Sequence, residues 1–403
     1  MVVGLRAGRP NHRRSPYFQG QIRTFIDARI KWVRDPYLDK AVKNEKNLKP
    51  LLSAKNLILS QPSQTLLLSA ISPLKPKLNL PTTAIKFFQD YPLIFRIFRP
   101  PIKKSMHFSH PHVKLTPKAL CLHNDESLIF NLLHYKMDVA ERLAKLLMLA
   151  RAQRLPFFVI EKFQFDMGLP HDYRLSILPD FPDYFSICEM GFKDSNGLEV
   201  FGLELVRWRE ELALSSLEKM VKNEGRMRSR IRFSMNLPRG FDLRKKVLEW
   251  VEEWQNLPYI SPYENAFHLA PNSDQAEKWT VGFIHELLCL MLAKKTDKES
   301  LFCLGDYLGF GMRFKKALRH HPGIFYVSNK IRTQTVVLRE AYKKNFLIEK
   351  HPLMKMRYKY IRLMSTVMRR GRPIRNIVMK RKRPSSAAAR MRKIKENSSK
   401  WRE

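Results

Sequence analysis

The sequence predicts a predominantly helical α+β fold, arranged as an array of three winged-helix-like units in which helices are followed by a short β-hairpin. An amphipathic helical pattern at residues 310–319 precedes two β-rich runs, at residues 324–327 and 335–338, which flank a basic turn. A short signature, in which a ring-bearing residue is followed by Pro-x-x-Phe, occurs at Tyr91, Phe181 and His321. Its recurrence after a helix and before two β-rich runs predicts structural repetition.

The third unit has the clearest pattern. Four apolar residues share one face of its helix, and the opposite face is basic; the apolar ones are Phe310, Phe314, Ala317 and Leu318. The helix should end before Pro322, because the residue before a proline is biased away from helical conformations. We expect the Phe of each signature to anchor its hairpin in the core. We place the units at about residues 30–122, 138–208 and 279–342, and chance repetition among 25 prolines and 25 phenylalanines is the alternative.

Local signals predict further elements of the first two units. The Asp-Pro dipeptide at residues 35–36 should start a helix, and Thr82 can cap another. β-rich runs at residues 94–98 and 113–116 predict the first hairpin. A second hairpin is predicted at residues 186–206, around an Asn-Gly turn.

A predicted helical connector, residues 219–263, separates the second and third units. Its helix carries Trp250 and Trp254 on one stripe, which favours core packing over base stacking. Four alternating arginines precede this helix, and an extended chain places all of them on one face, as a ridge for phosphates. A solvated linker edge is the alternative. The arginines are Arg226, Arg228, Arg230 and Arg232.

The charge of the chain points to a polyanionic partner. The 403 residues include 74 Lys+Arg against 37 Asp+Glu, a formal net charge of +37. Such an excess favours nucleic acid first and an anionic membrane surface second, with a merely basic protein as the alternative. The strongest candidates for RNA contact outside the arginine ridge are Arg313, Lys315, Lys316, Arg319, Lys330 and Arg332.

Both termini are basic. Residues 1–26 contain several arginines and no acidic residue, which is typical of an organellar transit peptide; a basic arm that contacts RNA is the alternative. Residues 356–403 form a basic tail that we expect to be partly disordered and to bind polyanions nonspecifically. Its Lys/Arg clusters also fit a nuclear localisation signal, which conflicts with the organellar interpretation.

Motifs for catalysis, metal binding and membrane insertion are missing from the sequence. It contains neither a P-loop nor HExxH, so we expect no catalytic residue, no cofactor and no metal site. The four cysteines lack CxxC spacing and predict buried thiols in a reducing compartment. The most apolar segment, residues 281–293, is too short to span a bilayer.

Three separated motifs give the chain a recognisable resemblance. They are VRDPYLDKAV (residues 33–42), EKWTVGFIHELLCLMLAKKT (277–296) and HPGIFYVSNKIRTQTVVLREAY (321–342). In this order they resemble the plant organelle RNA recognition domain family over about residues 27–353, and we place the RNA-binding domain at residues 27–355. SPYENAFHL (261–269) and part of the last motif are similar to the mitochondrial branch of its What's This Factor proteins.

The resemblance implies a noncatalytic RNA-binding protein that promotes splicing of group II introns. The implied partners are group II intron RNA and other organellar splicing factors, and the implied compartment is the mitochondrion, with the chloroplast as the alternative. A DNA-binding winged-helix protein of the nucleus or nucleoid is the competing hypothesis, because the same basic helix fits a DNA major groove. A hydrolase hidden in the central region is the least supported hypothesis.

Overall fold

The computed structural model describes residues 32–100, 110–223, 231–237 and 245–370. The helices are α1 (Pro36–Asn44), α2 (Leu48–Leu59), α3 (Leu68–Ile71), α4 (Ala84–Asp90), α5 (Pro117–Asn131), α6 (Leu133–Met148), α7 (Phe157–Met167), α8 (Tyr173–Ser176), α9 (Ser216–Asn223), α10 (Lys245–Asn256), α11 (Asp274–Leu290), α12 (Lys298–Tyr307), α13 (Met312–His320) and α14 (Pro352–Arg370). The strands are β1 (Thr65–Leu67), β2 (Phe95–Phe98), β3 (His112–Leu115), β4 (Arg154–Pro156), β5 (Phe185–Lys193), β6 (Glu199–Leu205), β7 (Lys295–Asp297), β8 (Phe325–Ser328), β9 (Thr335–Leu338), β10 (Tyr342–Lys343) and β11 (Phe346–Leu347). Many helices with small antiparallel sheets confirm the predicted α+β class.

Three of the described sheets share one topology. Their strand orders are β1-β3-β2, β4-β6-β5 and β7-β9-β8, and every pairing is antiparallel. A helix precedes each sheet, and two α-helices separate its first strand from its hairpin, with a further short 3-10 helix at Leu178–Asp180 in the second sheet. We call these segments the first repeat (residues 48–115), the second repeat (133–205) and the third repeat (274–338). Their assignment to the winged-helix fold remains a prediction.

The Pro-x-x-Phe signature forms the same turn in each repeat. The residue before the proline has nearly the same backbone angles in all three, with φ/ψ of −126°/56° at Tyr91, −130°/57° at Phe181 and −117°/56° at His321. Its carbonyl accepts hydrogen bonds from the backbone N–H groups three and four residues later, at 3.0 to 3.2 Å. The signature Phe is buried each time, as predicted for a core anchor.

The first strand of each sheet was not predicted. Each has three residues, too few to show alternation, and each follows a residue with positive φ: Gln64 at 50°, Gln153 at 52° and Lys294 at 50°. These strands form because the third strand of the sheet presents a second edge with which they pair. These strands pair with residues 38 to 50 positions away, so a three-residue run carries no local signal of its partner.

The chain divides into two compact units. The smaller unit contains residues 47–129 and those from Pro352 onward, and so includes the first repeat, most of α5 and α14. Its core holds an aromatic cluster of Phe87, Phe88 and Phe95. Beside this core, Lys55 forms a buried ion pair with Glu126.

The larger unit contains residues up to Lys46 and residues 130–351. Its second and third repeats are joined through the buried carboxylate of Glu286 on α11. That carboxylate accepts hydrogen bonds from Lys145 Nζ of α6 at 2.8 Å, from the Tyr263 hydroxyl at 2.8 Å and from the Ser216 backbone N–H at 2.6 Å. Burial raises the pKa of Glu286, but the Lys145 ammonium and the hydrogen bonds from Ser216 and Tyr263 together outweigh it and lower the pKa, so the carboxylate is ionised.

The connector packs its tryptophans into the core, as predicted. Trp254 is buried, and its ring centroid lies 4.2 Å from that of His321. His321 Nε2 lies 2.8 Å from Glu277 Oε1, and His320 Nδ1 lies 3.0 Å from the same oxygen. Burial raises the pKa of Glu277, but the hydrogen bonds from both histidines outweigh it and lower the pKa to about 2.

Helix α1 covers one face of the third sheet. As predicted, it starts at the Asp-Pro dipeptide, where the Asp35 side chain accepts the backbone N–H groups of Tyr37 and Leu38. Leu38 and Val42 then pack against Tyr326 and Val337. Because α1 belongs to the N-terminal segment of the larger unit, this sheet is completed by residues almost 300 positions away.

Several smaller predictions are corrected. The N-cap of α4 is Thr83 rather than Thr82, and its side chain forms no capping hydrogen bond. None of the cysteines is buried: Cys121 is exposed and the other three are half-buried, all four as free thiols. Residues 356–370 of the predicted tail are helical as part of α14. The predicted transit peptide and residues 371–403 lie outside the described residues. No described helix is both long enough and apolar enough to cross a membrane.

Candidate nucleic-acid interface

Helix α13 presents the predicted apolar face to the core. Phe314, Ala317 and Leu318 are buried, as is Phe310 just before the helix. The helix begins after Gly311, whose φ of +50° favours glycine, and it ends at the signature turn. The core contact therefore fixes which side of α13 faces outward.

The outward side of α13 carries the predicted basic residues with unequal exposure. Lys315 and Arg319 are exposed, whereas Arg313 and Lys316 are half-buried. Lys316 Nζ donates a hydrogen bond to Asn272 Oδ1 at 3.3 Å, so one of its N–H donors is already bound within the protein. Lys315 and Arg319 are therefore the better placed of the four for phosphates.

An aromatic ring lies between α12 and α13 with two cations around it. The ring centroid of half-buried Phe302 lies 5.3 Å from Lys298 Nζ and 5.6 Å from Lys315 Nζ. Lys298 Nζ also donates a hydrogen bond to Gln334 Oε1 in the hairpin turn at 2.6 Å. The structure thus brings α13 and the turn together. Sequence reasoning missed Lys298 and Phe302, although their four-residue spacing on a helix was the available signal.

The turn of the third hairpin carries the other two predicted contacts of this repeat. Lys330 and Arg332 are both exposed. Lys330 Nζ lies 3.8 Å from Asp39 Oδ2 of α1, whose carboxylate partly neutralises it. Arg332 is therefore the stronger candidate of the two.

The predicted arginine ridge is described only at its end. Arg226, Arg228 and Arg230 lie outside the described residues. Arg232 is exposed between buried Ile231 and Phe233, so the predicted alternation holds there, but residues 231–237 form no strand. Arg232 is paired with Glu252 of α10 and donates a hydrogen bond to Asn256 Oδ1 at 2.6 Å. This pairing weakens it as a phosphate ligand.

The three repeats differ strongly in charge. From the first strand to the end of the hairpin, the third repeat (residues 295–338) has eight Lys/Arg and three Asp/Glu. The second (residues 154–205) has four Lys/Arg and nine Asp/Glu, and the first (residues 65–115) has eight and one. The formal charge of the first and third repeats thus favours phosphates, and that of the second opposes them.

Helix α14 adds a basic surface in the smaller unit. Lys355, Lys359 and Arg362 are exposed at helical spacing, and the Tyr358 ring between them is 46% exposed. Lys359 Nζ lies 3.1 Å from Asp125 Oδ2 of α5. This helix spans residue 355, where we placed the end of the RNA-binding domain, and that boundary stays a prediction.

One cluster in the larger unit contains a nucleophile and a base. Cys289 Sγ lies 3.7 Å from His285 Nδ1, and His285 Nε2 lies 2.6 Å from Glu340 Oε1. Burial lowers the pKa of His285, but Cys289 and Glu340 outweigh it and raise the pKa to about 10. An imidazolium of this kind is a poor general base near neutral pH. Among the described residues, no group of three or more His, Cys, Asp or Glu side chains is arranged to hold a metal ion.

Repeated helix–hairpin units with one-sided basic faces are features of a nucleic-acid-binding protein. More specifically, the chain belongs to the plant organelle RNA recognition domain family, whose model matches residues 33–369. No solved structure matches the chain.

Three relatives are similar over most of the chain. Protein WHAT'S THIS FACTOR 9, mitochondrial, of Arabidopsis thaliana is 34% identical over 348 residues, which cover 85% of this chain and 87% of that protein. Protein WHAT'S THIS FACTOR 1 homolog, chloroplastic, of Oryza sativa subsp. japonica is 30% identical over 365 residues, 86% of this chain and 68% of that protein. Protein ROOT PRIMORDIUM DEFECTIVE 1 of Arabidopsis thaliana is 29% identical over 344 residues, 81% of each.

The family motifs are distant in sequence but meet in the larger unit. Arg339 Nη1, in the 321–342 motif, lies 2.8 Å from Asp35 Oδ2, in the 33–42 motif. Lys295 Nζ, in the 277–296 motif, lies 3.5 Å from the Ala41 carbonyl oxygen. The motifs that carried the resemblance thus build one structure, the third repeat with α1 over its sheet.

Proposed function

We propose that this protein binds group II intron RNA in plant mitochondria and promotes splicing by stabilising the active fold of the intron. One observation carries the proposal: a chain of an RNA recognition family exposes basic residues on α13 and on the neighbouring hairpin turn of its third repeat. The mitochondrial assignment is supported by the 34% identity to a relative named as mitochondrial.

The proposed mechanism depends on charge and shape. Lys and Arg side chains neutralise phosphates and release counterions, so the affinity should fall steeply with salt concentration. The deep major groove of A-form RNA does not admit a helix such as α13, so we expect single-stranded or irregular regions of the intron to be the targets. Other organellar splicing factors are proposed partners on the same RNA.

The proposed RNA contacts are ranked by how exposed each side chain is and by whether a carboxylate already pairs with it. Lys315, Arg319 and Arg332 are exposed and come first. The contacts proposed with lower rank are Arg313, Lys316 and Lys330, which are half-buried or close to Asp39, and Arg232, which is paired with Glu252. Arg226, Arg228 and Arg230 remain proposed contacts on the sequence pattern alone.

We propose that the chain catalyses no step itself and leaves the chemistry to the intron and its metal ions. Cys289 with His285 and Glu340 is the cluster that most resembles a catalytic one. Cys289→Ala should therefore leave RNA affinity and splicing unchanged. Loss of splicing by a Cys289→Ala protein with normal stability and normal RNA affinity would contradict this part of the proposal.

Charge reversal on α13 tests the proposed site. The triple variant Lys315→Glu, Lys316→Glu, Arg319→Glu should bind intron RNA at least about tenfold more weakly, since several phosphate contacts become repulsive. The matched control reverses three exposed cations around the acidic second repeat, Arg151, Lys162 and Lys193, and should retain the affinity. Unchanged affinity of a folded α13 variant would show that this helix is not part of the RNA site. A preference of the wild type for duplex DNA at matched salt would favour the DNA-binding alternative.

The target and compartment are tested by immunoprecipitation of the tagged protein from purified mitochondria and chloroplasts, with sequencing of the bound RNA. We expect one or a few group II introns to be enriched in the mitochondrial sample. Recovery of bulk RNA without intron preference would contradict the splicing role, and enrichment in chloroplasts alone would contradict the compartment.

A further inference from the structure

The outer face of the first sheet groups four side chains that share one chemistry. Arg96 pairs with Lys114 and Phe98 pairs with His112 across β2 and β3. Residues directly opposite each other in an antiparallel pair point to the same side, and residues two apart along a strand do so as well. The four side chains therefore lie together on one face of the sheet.

These side chains contact one another and remain accessible. Lys114 Nζ lies 4.9 Å from the Phe98 ring centroid, and the rings of Phe98 and His112 are 6.0 Å apart. Arg96 is exposed and the other three are half-buried. On the opposite face of the sheet, Phe95 is buried, so the strand that carries Arg96 and Phe98 is anchored to the core.

The equivalent face differs in the other two repeats. Counted from the signature Phe, the residues that correspond to Arg96 and Phe98 are Tyr326 and Ser328 in the third repeat, and both are buried. In the second repeat they are Ser186 and Cys188. Aromatic and basic side chains thus coincide with exposure on this face only in the first repeat, as far as the described residues extend.

We propose that this face of the first sheet binds a single-stranded segment of RNA. The inference rests on the proposed RNA-binding function and adds a second contact surface to it. Phe98 and His112 stack on bases, while Arg96 and Lys114 bind the adjacent phosphates; sheets that carry aromatic and basic side chains on an exposed face suit this type of binding. In the free protein the Lys114 ammonium lies over the Phe98 ring, and a stacking base displaces it toward the backbone phosphate.

The test measures binding of a labelled uridine-rich RNA single strand, and of an RNA duplex of the same length, to the full-length protein. Phe98→Ala with His112→Ala should weaken single-strand binding about five- to hundredfold, the range typical for loss of base stacking. Duplex binding should change much less, because paired bases are not free to stack on protein rings. Phe98→Trp should retain the affinity, since its ring also stacks.

Charge reversal provides the matched comparison. Arg96→Glu with Lys114→Glu should weaken binding, whereas Lys75→Glu with Lys77→Glu, which reverses two exposed lysines away from the strands of the same repeat, should have a clearly smaller effect. Equal losses of RNA affinity in the two double variants would show that the face attracts RNA only through its general positive charge. That result would overturn the proposal. Unchanged single-strand binding by the Phe98 and His112 variant would also overturn it.

Two controls separate misfolding and failure of the general function from failure of this site. If Phe98→Ala unfolds the protein, photo-cross-linking of the uridine-rich strand to the wild type decides: we expect cross-links on Phe98 or His112, and cross-links elsewhere only would reject the site. Wild-type protein that binds no RNA would reject the proposed function itself. RNA binding that is lost in the α13 variant but kept in the sheet variants would reject only this inference.

Discussion

The second and third repeats have the same strand order and the same signature turn, but their surfaces have opposite character. Between first strand and hairpin end, acidic residues outnumber basic ones nine to four in the second repeat, and basic residues outnumber acidic ones eight to three in the third. The third sheet is also covered by α1 on the face that carries Tyr326, whereas Ser186 on the corresponding face of the second sheet is exposed. A single backbone pattern thus carries a basic surface in one copy and an acidic one in the other.

The third sheet, which α1 covers, depends on a buried carboxylate. Asp39 of α1 is 4% exposed and accepts hydrogen bonds from the Tyr326 hydroxyl at 2.9 Å and the Ser328 hydroxyl at 2.7 Å. Ser186, which corresponds to Tyr326 in the second repeat, is exposed. The hydroxyl groups on this face of the third sheet therefore have an acceptor within the chain, whereas Ser186 is accessible to solvent.

The largest effect is expected from Asp39→Ala. It leaves two buried hydroxyl groups without their acceptor and should destabilise the larger unit by about 4 kcal/mol. Urea unfolding followed by circular dichroism measures the change. Ser186→Ala, at the equivalent position of the second repeat, should change the stability by less than about 0.5 kcal/mol. Similar effects of the two variants would mean that α1 does not distinguish the sheets.

The position before the signature proline should give the third repeat a pH dependence that this position does not give the other two repeats. Glu277, bonded to His320 and His321, has a pKa of about 2 instead of 4.5. A lowered carboxyl pKa adds stability that is present above pH 4.5 and lost as the pH falls toward 2, here about 3 kcal/mol. The first and second repeats have Tyr91 and Phe181 at this position, and neither titrates in that range.

Glu277→Gln should therefore remove most of this acid-dependent loss. Unfolding curves between pH 2 and 5, followed by tryptophan fluorescence, report on it because Trp254 packs on His321. Glu249→Gln, at an exposed site of α10, is the matched control and should preserve the wild-type pH profile. An unchanged profile in Glu277→Gln would show that other groups govern acid stability.

Alanine substitutions at two glycines, one in the second repeat and one in the third, should change the stability in opposite directions. A Cβ on Gly202 of β6 would lie 2.6 Å from the Leu155 carbonyl oxygen, whereas the third repeat has Thr335 in the same register. Gly202→Ala should therefore destabilise the second hairpin by about 2 kcal/mol. Gly282 in α11 has only ordinary contacts at 3.6 Å or more, so Gly282→Ala should stabilise that helix by about 0.5–1 kcal/mol. Thermal melting of both variants measures the pair of effects.

The smallest effect concerns single charges. Arg332→Ala should weaken RNA binding a few-fold and reduce the slope of log affinity against log salt by about 0.7–0.9, the value for one phosphate contact. Lys193→Ala, in the acidic second hairpin where Lys193 pairs with Glu199, should leave both quantities unchanged. A salt titration of binding by fluorescence anisotropy measures both. Equal slopes for all three proteins would place the phosphate contacts elsewhere.

Much of the fold was predictable because its signals are local. The apolar stripe of α13, the Asp-Pro start of α1 and the hairpin runs each lie within about ten residues, and the structure has them where the patterns indicated. The three-residue strands and the Phe302 cluster could not be predicted in this way. Their partners come from other elements, and a short run carries no record of them.

The candidate interface shows the same division. Sequence patterning identified Lys315, Arg319 and Arg332 as basic residues on an outward face, but it gave equal weight to Arg232. Only tertiary structure placed Glu252 beside Arg232 and Asp39 beside Lys330. The pairing of a surface charge depends on contacts between distant segments, and these contacts decide which cations are available for phosphates.

The sequence by itself determined the helical α+β class, the recurrent signature turn, the basic excess and the family of the protein. Only the tertiary structure decided which strands pair, which sheet face α1 covers, and that the aromatic and basic side chains of the first sheet share one face. The physical reason is range: helix periodicity, capping and turn preferences act over a few residues, whereas strand pairing and burial join residues that are tens to hundreds of positions apart.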